Sequence, residues 1–105
     1  MYCVFCEIIA RRQPANIRYE DDEVIVFDNI LGWTPVMLLV LPKKHMTQEE
    51  MWQNMGRVGT VAVEMGRKYS PRGYRLLSNI GVYAHQSEGH AHVHVLGGHI
   101  LGFYA

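Results

Sequence analysis

The sequence predicts an α+β domain in which an antiparallel sheet of about five strands packs with one main helix. Short runs rich in β-branched and aromatic residues recur along the chain and are separated by turn residues, a pattern typical of strands. One longer segment, residues 48–69, has apolar residues at steps of three and four, the spacing of one helix face. No repeat, low-complexity tract or linker interrupts the 105 residues, so we expect one domain over residues 1–105.

The chain opens with Cys3-x-x-Cys6, whose apolar neighbours predict a short helical or turn segment that Pro14 ends. A CxxC pair is compatible with a redox couple, with half of a zinc site or with two small buried residues. A redox couple needs a thioredoxin-like βαβ context, which this region lacks. Zinc needs two further ligands from elsewhere in the chain.

Two β-rich runs, residues 17–20 and 24–27, flank Asp21-Asp22-Glu23 and predict an antiparallel hairpin. A loop around Gly32-Trp33-Thr34-Pro35 then leads to the apolar run 36–42. This run is far too short to cross a bilayer, so it predicts a buried strand.

The helical segment 48–69 contains three glycines, which predict that its first portion is frayed or broken. Residues 70–73 form a turn, and residues 74–79 alternate as a fourth strand. Residues 80–88 are predicted to be a loop that leads into the last strand.

The last strand and the loop before it are predicted to carry the functional site, because four of the six histidines lie between residues 85 and 94. Side chains alternate across a strand, so His90, His92 and His94 should share one face while aliphatic residues face the core. Imidazoles about 6.5 Å apart can address adjacent oxygens of one phosphate. Two alternatives are a metal held by all three histidines, as in zinc hydratases, and a structural cluster or tag. The interleaved β-branched residues disfavour a tag.

The balance of charges and the lack of long apolar runs exclude several classes of binding partner. Ten basic and ten acidic residues balance, which removes the electrostatic footprint of a non-specific nucleic-acid or anionic-membrane binder. The chain shows no secretory signal and no membrane-spanning run, so we expect a soluble, cytoplasmic protein that binds neither nucleic acid nor membrane. In that reducing compartment a structural disulfide is the less favoured use of the two cysteines.

An ordered set of motifs covers nearly the full chain. The motif His-φ-His-φ-His-φ-φ, with φ apolar, stands at residues 90–96. Around it stand Val4-Phe5-x-x-Ile8-Ile9, Tyr19-Glu20-Asp21-Asp22, Val40-Leu41-Pro42-Lys43-Lys44-His45, Gly73-Tyr74-Arg75, Asn79-x-Gly81 and Gln86-Ser87. This set resembles the histidine-triad (HIT) family of nucleotide-binding proteins. The continuation Val95-Leu96-Gly97-Gly98 is similar to the small nucleoside-phosphoramidase-like branch, sometimes described as protein kinase C-interacting proteins.

The resemblance implies a HIT-like fold, a homodimer, and a nucleotidyl hydrolase or transferase acting on purine nucleoside phosphoramidates or related mononucleotide esters. His92 would be the nucleophile that forms a nucleotidyl-histidine intermediate, with His94 and His90 completing the catalytic row. A neutral imidazole, whose usual pKa is about 6.5, needs no deprotonation before it attacks.

The resemblance also implies the residues that contact a purine nucleotide. They are Phe5, Ile8, Phe27, Asn29, Ile30, Asn79, His85, Gln86 and Ser87. Gln86 and Ser87 would supply donors to the phosphate, and His85 would border it. For the four apolar residues, a place in the core is an equal alternative.

Some bacterial members of the family hold a structural zinc, and the matching positions here are Cys3, Cys6, His45 and His90. Two thiolates and two imidazoles make a closed tetrahedral set that stabilises a fold rather than catalysing a reaction. With zinc bound, His90 would serve the metal, and His92 and His94 would be the working pair. The alternative is a pair of small buried thiols.

Two positions depart from the family pattern. Asn29 stands where the family uses a carboxylate on the ribose hydroxyls, and an amide lacks the charge-assisted hydrogen bonds of a carboxylate. Met37 replaces a histidine that supports the triad. These departures bear on nucleoside affinity and catalytic rate, and they keep open a second function, a non-catalytic nucleotide- or zinc-binding module.

Overall fold

Within residues 2–103, the part of the chain that the computed structural model describes, strands and helices alternate in an α+β arrangement. The elements are α1 (Val4–Ile9), β1 (Ile17–Glu20), β2 (Val24–Asp28), β3 (Val36–Pro42), α2 (Gln48–Gln53), α3 (Gly56–Tyr69), β4 (Tyr74–Leu77), a 3-10 turn (Val82–Ala84) and β5 (Val93–Gly97). These strands form one antiparallel sheet in the order β1-β2-β3-β5-β4. The predicted fold class is confirmed, and the predicted domain bounds of 1–105 extend beyond the described residues at both ends.

The sheet separates two apolar layers, because alternate residues of each strand face opposite sides. On one side, aliphatic residues of β2, β3 and β5 pack with α2 and α3. On the other side, Ile25, Phe27, Leu39 and Leu41 pack with α1. The candidate site lies on this second side, where α1 covers only part of the sheet.

The predicted helix over 48–69 is two helices, as its glycines indicated. Thr47 and Glu50 form a capping box that starts α2, with the Glu50 amide donating to the Thr47 hydroxyl at 3.1 Å. Gly56, which starts α3, has φ +42°, a conformation that side chains other than glycine adopt with strain. Gly66 of α3 faces the Tyr74 ring so closely that a Cβ there would lie 2.4 Å from it.

The last strand begins later than predicted. Its ladder starts at Val93, paired with Val40 of β3, and not at His90. Continued pairing would bring Pro42 into the ladder, and proline has no N–H to donate. Residues 90–92 are held instead by side chains and by a bond from the Ala91 amide to the Met46 carbonyl at 2.9 Å.

The fourth strand also ends early, at Leu77 rather than Asn79. Ser78 instead donates its hydroxyl to the His92 carbonyl at 2.5 Å. Among residues 2–103, no helix has the length and apolar character that crossing a bilayer requires.

Candidate active site and metal centre

A cavity of about 520 Å³ opens beside α1, between the β2–β3 loop and the loop that precedes β5. His92 and His94 line it. So do all nine residues predicted to contact a nucleotide: Phe5, Ile8, Phe27, Asn29, Ile30, Asn79, His85, Gln86 and Ser87. The fold therefore brings together side chains that the family motifs scatter from one end of the sequence to the other.

The cavity has an apolar wall. Phe5, Ile8, Phe27 and Leu39 are buried in the core layer beneath α1 and also line the cavity. The Phe5 and Phe27 rings meet edge to face with centroids 5.7 Å apart. Phe5, Ile8 and Phe27 are therefore core residues that also face the cavity, whereas Ile30 lines the cavity and is fully exposed.

His92 is buried, and its ring is held in one orientation. Its Nδ1 lies 2.8 Å from the His90 carbonyl oxygen, which can only accept, so Nδ1 carries the proton and Nε2 keeps its lone pair. The ring packs edge to face on Phe5 at 5.3 Å and on His94 at 5.1 Å between centroids. Burial lowers the pKa of His92 below its usual value, so the ring is neutral at pH 7.

The backbone of His92 is held from both sides. Its amide donates to Gln48 Oε1 at 3.0 Å, and its carbonyl accepts from Ser78. Gln48 is itself buried at the start of α2 and donates through Nε2 to the Asn79 carbonyl at 3.4 Å. Gln48 therefore links the His92 segment to Asn79. The sequence offered no signal for this role, since a glutamine in a first helical turn is usually exposed.

His94 lies next to His92 on the same face of the sheet. It pairs with Leu39 on one side and with Leu77 on the other. Burial, together with the proximity of His92, lowers the pKa of His94 to about 4. A neutral His94 offers one N–H to a phosphate oxygen at pH 7.

The side chain of Gln86 makes two hydrogen bonds within the loop before β5. Its Oε1 accepts from the Gly81 amide at 2.8 Å, and its Nε2 donates to the Glu88 carbonyl at 2.9 Å. One amide hydrogen of Gln86 therefore remains for another acceptor. His85 is exposed, lines the cavity and adopts a left-handed conformation with φ 58°.

Asn29 and Met37, the two departures from the family pattern, both accept hydrogen bonds from backbone amides of the β2–β3 loop. Asn29 accepts the Leu31 amide on Oδ1 at 2.9 Å. Met37 is buried and its Sδ accepts the Trp33 amide at 3.0 Å. The neighbouring carboxylate, Asp28, is not a substitute for a carboxylate at residue 29, because Arg18 binds both of its oxygens at 2.8 and 2.9 Å.

Cys3, Cys6, His45 and His90 converge at the other end of the histidine row, with all ligand atoms within 4.8 Å of one another. His90 Nδ1 lies 3.6 Å from each sulfur, and His45 Nδ1 lies 3.4 Å from Cys6 Sγ. Ligands of a tetrahedral zinc, with Zn–S near 2.3 Å and Zn–N near 2.0 Å, lie about 3.5 Å apart. These residues therefore fit a tetrahedral ion.

The protonation of His90 also suits a metal. Its Nε2 donates to the Pro42 carbonyl at 2.7 Å, which leaves the Nδ1 lone pair facing the two sulfurs. Among residues 2–103 this is the one group of side chains placed to hold a metal ion. The three histidines of the row do not form a second one, so the structure gives no support to a catalytic metal held by all three.

Several cavity residues were not predicted to be part of the site. They are Val4, Gln13, Pro14, Ala15, Asn16, Asp28, Leu31, Trp33, Leu39 and Glu88. Trp33 is the largest of them, and the sequence marked its segment only as a connecting loop. A single large aromatic residue in a glycine- and proline-containing loop was the available signal.

The chain belongs to the HIT family, since the HIT domain family model matches residues 10–100. It is 34% identical to the purine nucleoside phosphoramidase of Escherichia coli K12, over 94% of this chain and 89% of that protein. Among solved structures, a HIT family hydrolase from Clostridium thermocellum superposes with a TM-score of 0.86 at 37% identity, covering 97% of this chain and 95% of that one. A histidine triad protein from Clostridium difficile gives 0.88 at 28% identity, covering 98% and 96%. The resemblance inferred from the motifs is confirmed.

Proposed function

We propose that the protein is a nucleotidyl hydrolase or transferase that acts on purine nucleoside phosphoramidates or related mononucleotide esters. The observation that supports this most is the state of His92. Its ring is buried, neutral and fixed by the His90 carbonyl, and it lines a cavity large enough for a small ligand. The 34% identity to a purine nucleoside phosphoramidase agrees with this substrate class.

In the proposed reaction His92 Nε2 attacks the phosphorus, an N–P bond to the imidazole forms, and the bond from phosphorus to the leaving nitrogen breaks. The leaving amine takes up one proton from water. Water then attacks the nucleotidyl-histidine, which releases the nucleoside monophosphate and returns a proton to solvent. The net reaction consumes one water, and His92 ends as it began.

Residues around His92 would position the phosphoryl group. His94 is neutral and offers one N–H, and Asn79, Gln86 and Ser87 add polar groups to the lining of the same cavity. Donors held in place before the reaction stabilise charge that develops on the phosphoryl oxygens. The purine would lie against Phe5, Ile8 and Phe27, with Ile30 at the rim and Asn29 near the ribose.

We further propose that Cys3, Cys6, His45 and His90 bind a structural Zn²⁺. Bound there, the ion would cross-link α1 to the segments that follow β3 and precede β5. Free thiols act as such ligands in a reducing compartment, so this assignment suits the cytoplasm. His90 would then support catalysis through its backbone carbonyl and not through its ring.

We also propose a homodimer that pairs along β4. This strand is at the edge of the sheet, and its four residues are half-buried in the single chain. A strand at the edge of a sheet can be extended by a strand of a second copy. Light scattering coupled to size-exclusion chromatography should give twice the chain mass, and a monomer mass at micromolar concentration would contradict the proposal.

A second candidate function is a module that binds nucleotides without turning them over. The observation in its favour is that Asn29 and Met37, the two departures from the family pattern, both accept backbone amides of their own loop. To separate the two functions, the protein is incubated with adenosine 5′-phosphoramidate. We expect free AMP and, after rapid quenching with denaturant at alkaline pH, where the phosphorus–nitrogen bond of a nucleotidyl-histidine is stable, an adenylylated protein by mass spectrometry. Binding with neither product would contradict the enzyme and favour the module.

A further inference from the structure

Trp33 is a large aromatic residue that lines the cavity yet is 69% exposed. It is held by its backbone rather than by packing of its ring, because its amide donates to Met37 Sδ at 3.0 Å. The Leu31 amide is fixed to Asn29 in the same loop. An exposed indole on a fixed loop at a cavity mouth is placed to contact a ligand.

The register of the sheet shows which side of the cavity Trp33 occupies. Leu39 of the apolar wall pairs with His94, whereas Met37 pairs with Leu96. Residues two apart on a strand are separated by about 6.5 Å, so Met37 lies one step beyond His94. Phe5 packs on His92 instead, at 5.3 Å. The Trp33 loop, anchored on Met37, and the wall at Phe5 therefore flank the two imidazoles from different sides.

We propose that Trp33 selects the leaving group of the substrate and favours apolar or aromatic amines; this rests on the proposed function. A nucleoside phosphoramidate has three parts, namely the nucleoside, the phosphoryl group and the amine. With the purine on the Phe5 wall and the phosphoryl group at His92 and His94, the amine extends toward the remaining side, where the Trp33 ring lies. An indole face stacks on an aromatic group and packs on an apolar one.

The test compares two substrates that share adenosine and phosphate and differ in the amine. One releases ammonia and the other releases an arylalkyl amine, and kcat/KM is measured for both in wild type, Trp33→Ala and Trp33→Phe. We expect Trp33→Ala to lower kcat/KM about tenfold for the arylalkyl substrate and to leave the ammonia substrate within about twofold. Trp33→Phe should restore most of the loss. Trp52→Ala is the matched control, since Trp52 is 42% exposed on α2 and is not part of the cavity lining.

The outcomes separate this inference from the proposed function. If wild type hydrolyses neither substrate, both fall. If wild type hydrolyses both substrates, and Trp33→Ala lowers kcat/KM equally for both or for neither, the proposed role of Trp33 is refuted and the proposed function stands. An equal loss would indicate that Trp33 contacts the nucleoside, and that result would also be accompanied by a raised Kd for AMP, measured by calorimetry.

Discussion

His90 and His92 are two residues apart, are both buried and each donate one ring N–H to a backbone carbonyl, yet they belong to different sites. His90 donates from Nε2 to Pro42 and keeps the Nδ1 lone pair, which faces two sulfurs. His92 donates from Nδ1 to His90 and keeps the Nε2 lone pair. The comparison teaches that the carbonyl partner decides which nitrogen is free, and that the free nitrogen decides the chemistry.

The two sites are also joined through one residue. The ring of His90 belongs to the candidate metal centre, and the carbonyl of the same residue orients His92. Loss of a metal would loosen His90 and, through its carbonyl, the ring of His92, the proposed nucleophile. Variants at each end of the histidine row should therefore affect turnover and metal content to different extents.

The largest effect is expected from His92→Asn. The variant removes the proposed nucleophile, so turnover of adenosine 5′-phosphoramidate should fall by about 10⁴-fold or more. Metal content should not change, since the metal ligands are intact. His99→Asn, an exposed histidine outside this cavity, is the matched control and should retain activity. Substantial adduct formation or turnover in His92→Asn would refute the assignment of the nucleophile.

A smaller effect on turnover is expected from the double variant Cys3→Ser, Cys6→Ser. Elemental analysis should find about one zinc per wild-type chain and almost none in the variant. Because only the orientation of His92 is weakened, turnover should fall about tenfold rather than vanish. Burial, helped by the neighbouring Cys3, raises the pKa of the Cys6 thiol, so zinc affinity should also decrease as the pH falls. Equal zinc contents in the two proteins would contradict the metal centre.

The next prediction concerns stability and His94. Burial lowers the pKa of folded His94 to about 4, whereas the unfolded chain takes up the proton near pH 6.5. Protons therefore favour the unfolded state, and the stability contributed by neutral His94 is lost as the pH falls from about 6.5 to about 4. Between pH 7.5 and pH 4, the free energy of unfolding should fall on the order of 3 kcal/mol more in wild type than in His94→Gln.

Urea titrations at several pH values measure this difference. Because carboxylates titrate in both proteins, the comparison between the two isolates His94. Parallel pH profiles would show that His94 is readily protonated in the folded protein and is not the neutral donor proposed for the phosphate.

The smallest effect is expected from Asn29→Asp. A carboxylate at this position can still accept the Leu31 amide and adds a charge-assisted bond to a ribose hydroxyl. Calorimetry should give a Kd for AMP about fivefold lower than in wild type. With 2′,3′-dideoxy-AMP the two proteins should bind equally. A gain that persists with the dideoxy ligand would mean that the carboxylate does not act on the ribose.

Much of the fold followed from local patterns. The alternation of residues 90–95 predicted which side chains face the core, and the glycines of 48–69 predicted the break between α2 and α3. The start of β5 could not be predicted, because it depends on Pro42 in a strand that is distant in sequence. The same holds for the side chains of Gln48 and Ser78, which replace the missing ladder bonds of His92.

The residues of the candidate site were predicted mainly from the order of the family motifs and less from the chemistry of the residue types. Residue types alone left the CxxC pair and the histidine row open to several uses, and the family pattern chose the residues that the cavity brings together. Trp33 was not among them, because no short-range pattern says where the side chain of a loop residue points. The sequence also could not predict which ring nitrogen stays free in His90 and which in His92, because hydrogen bonds to two backbone carbonyls decide this.

His92 owes its location to two side chains instead of a neighbouring strand: Gln48 holds its amide and Ser78 holds its carbonyl. Backbone pairing in a sheet depends little on residue type, whereas these two bonds depend on the side chains at residues 48 and 78. Single substitutions at residues 48 and 78 can therefore move the His92 ring while the backbone ladder of the sheet stays intact, so the geometry of the candidate site can change without loss of the fold.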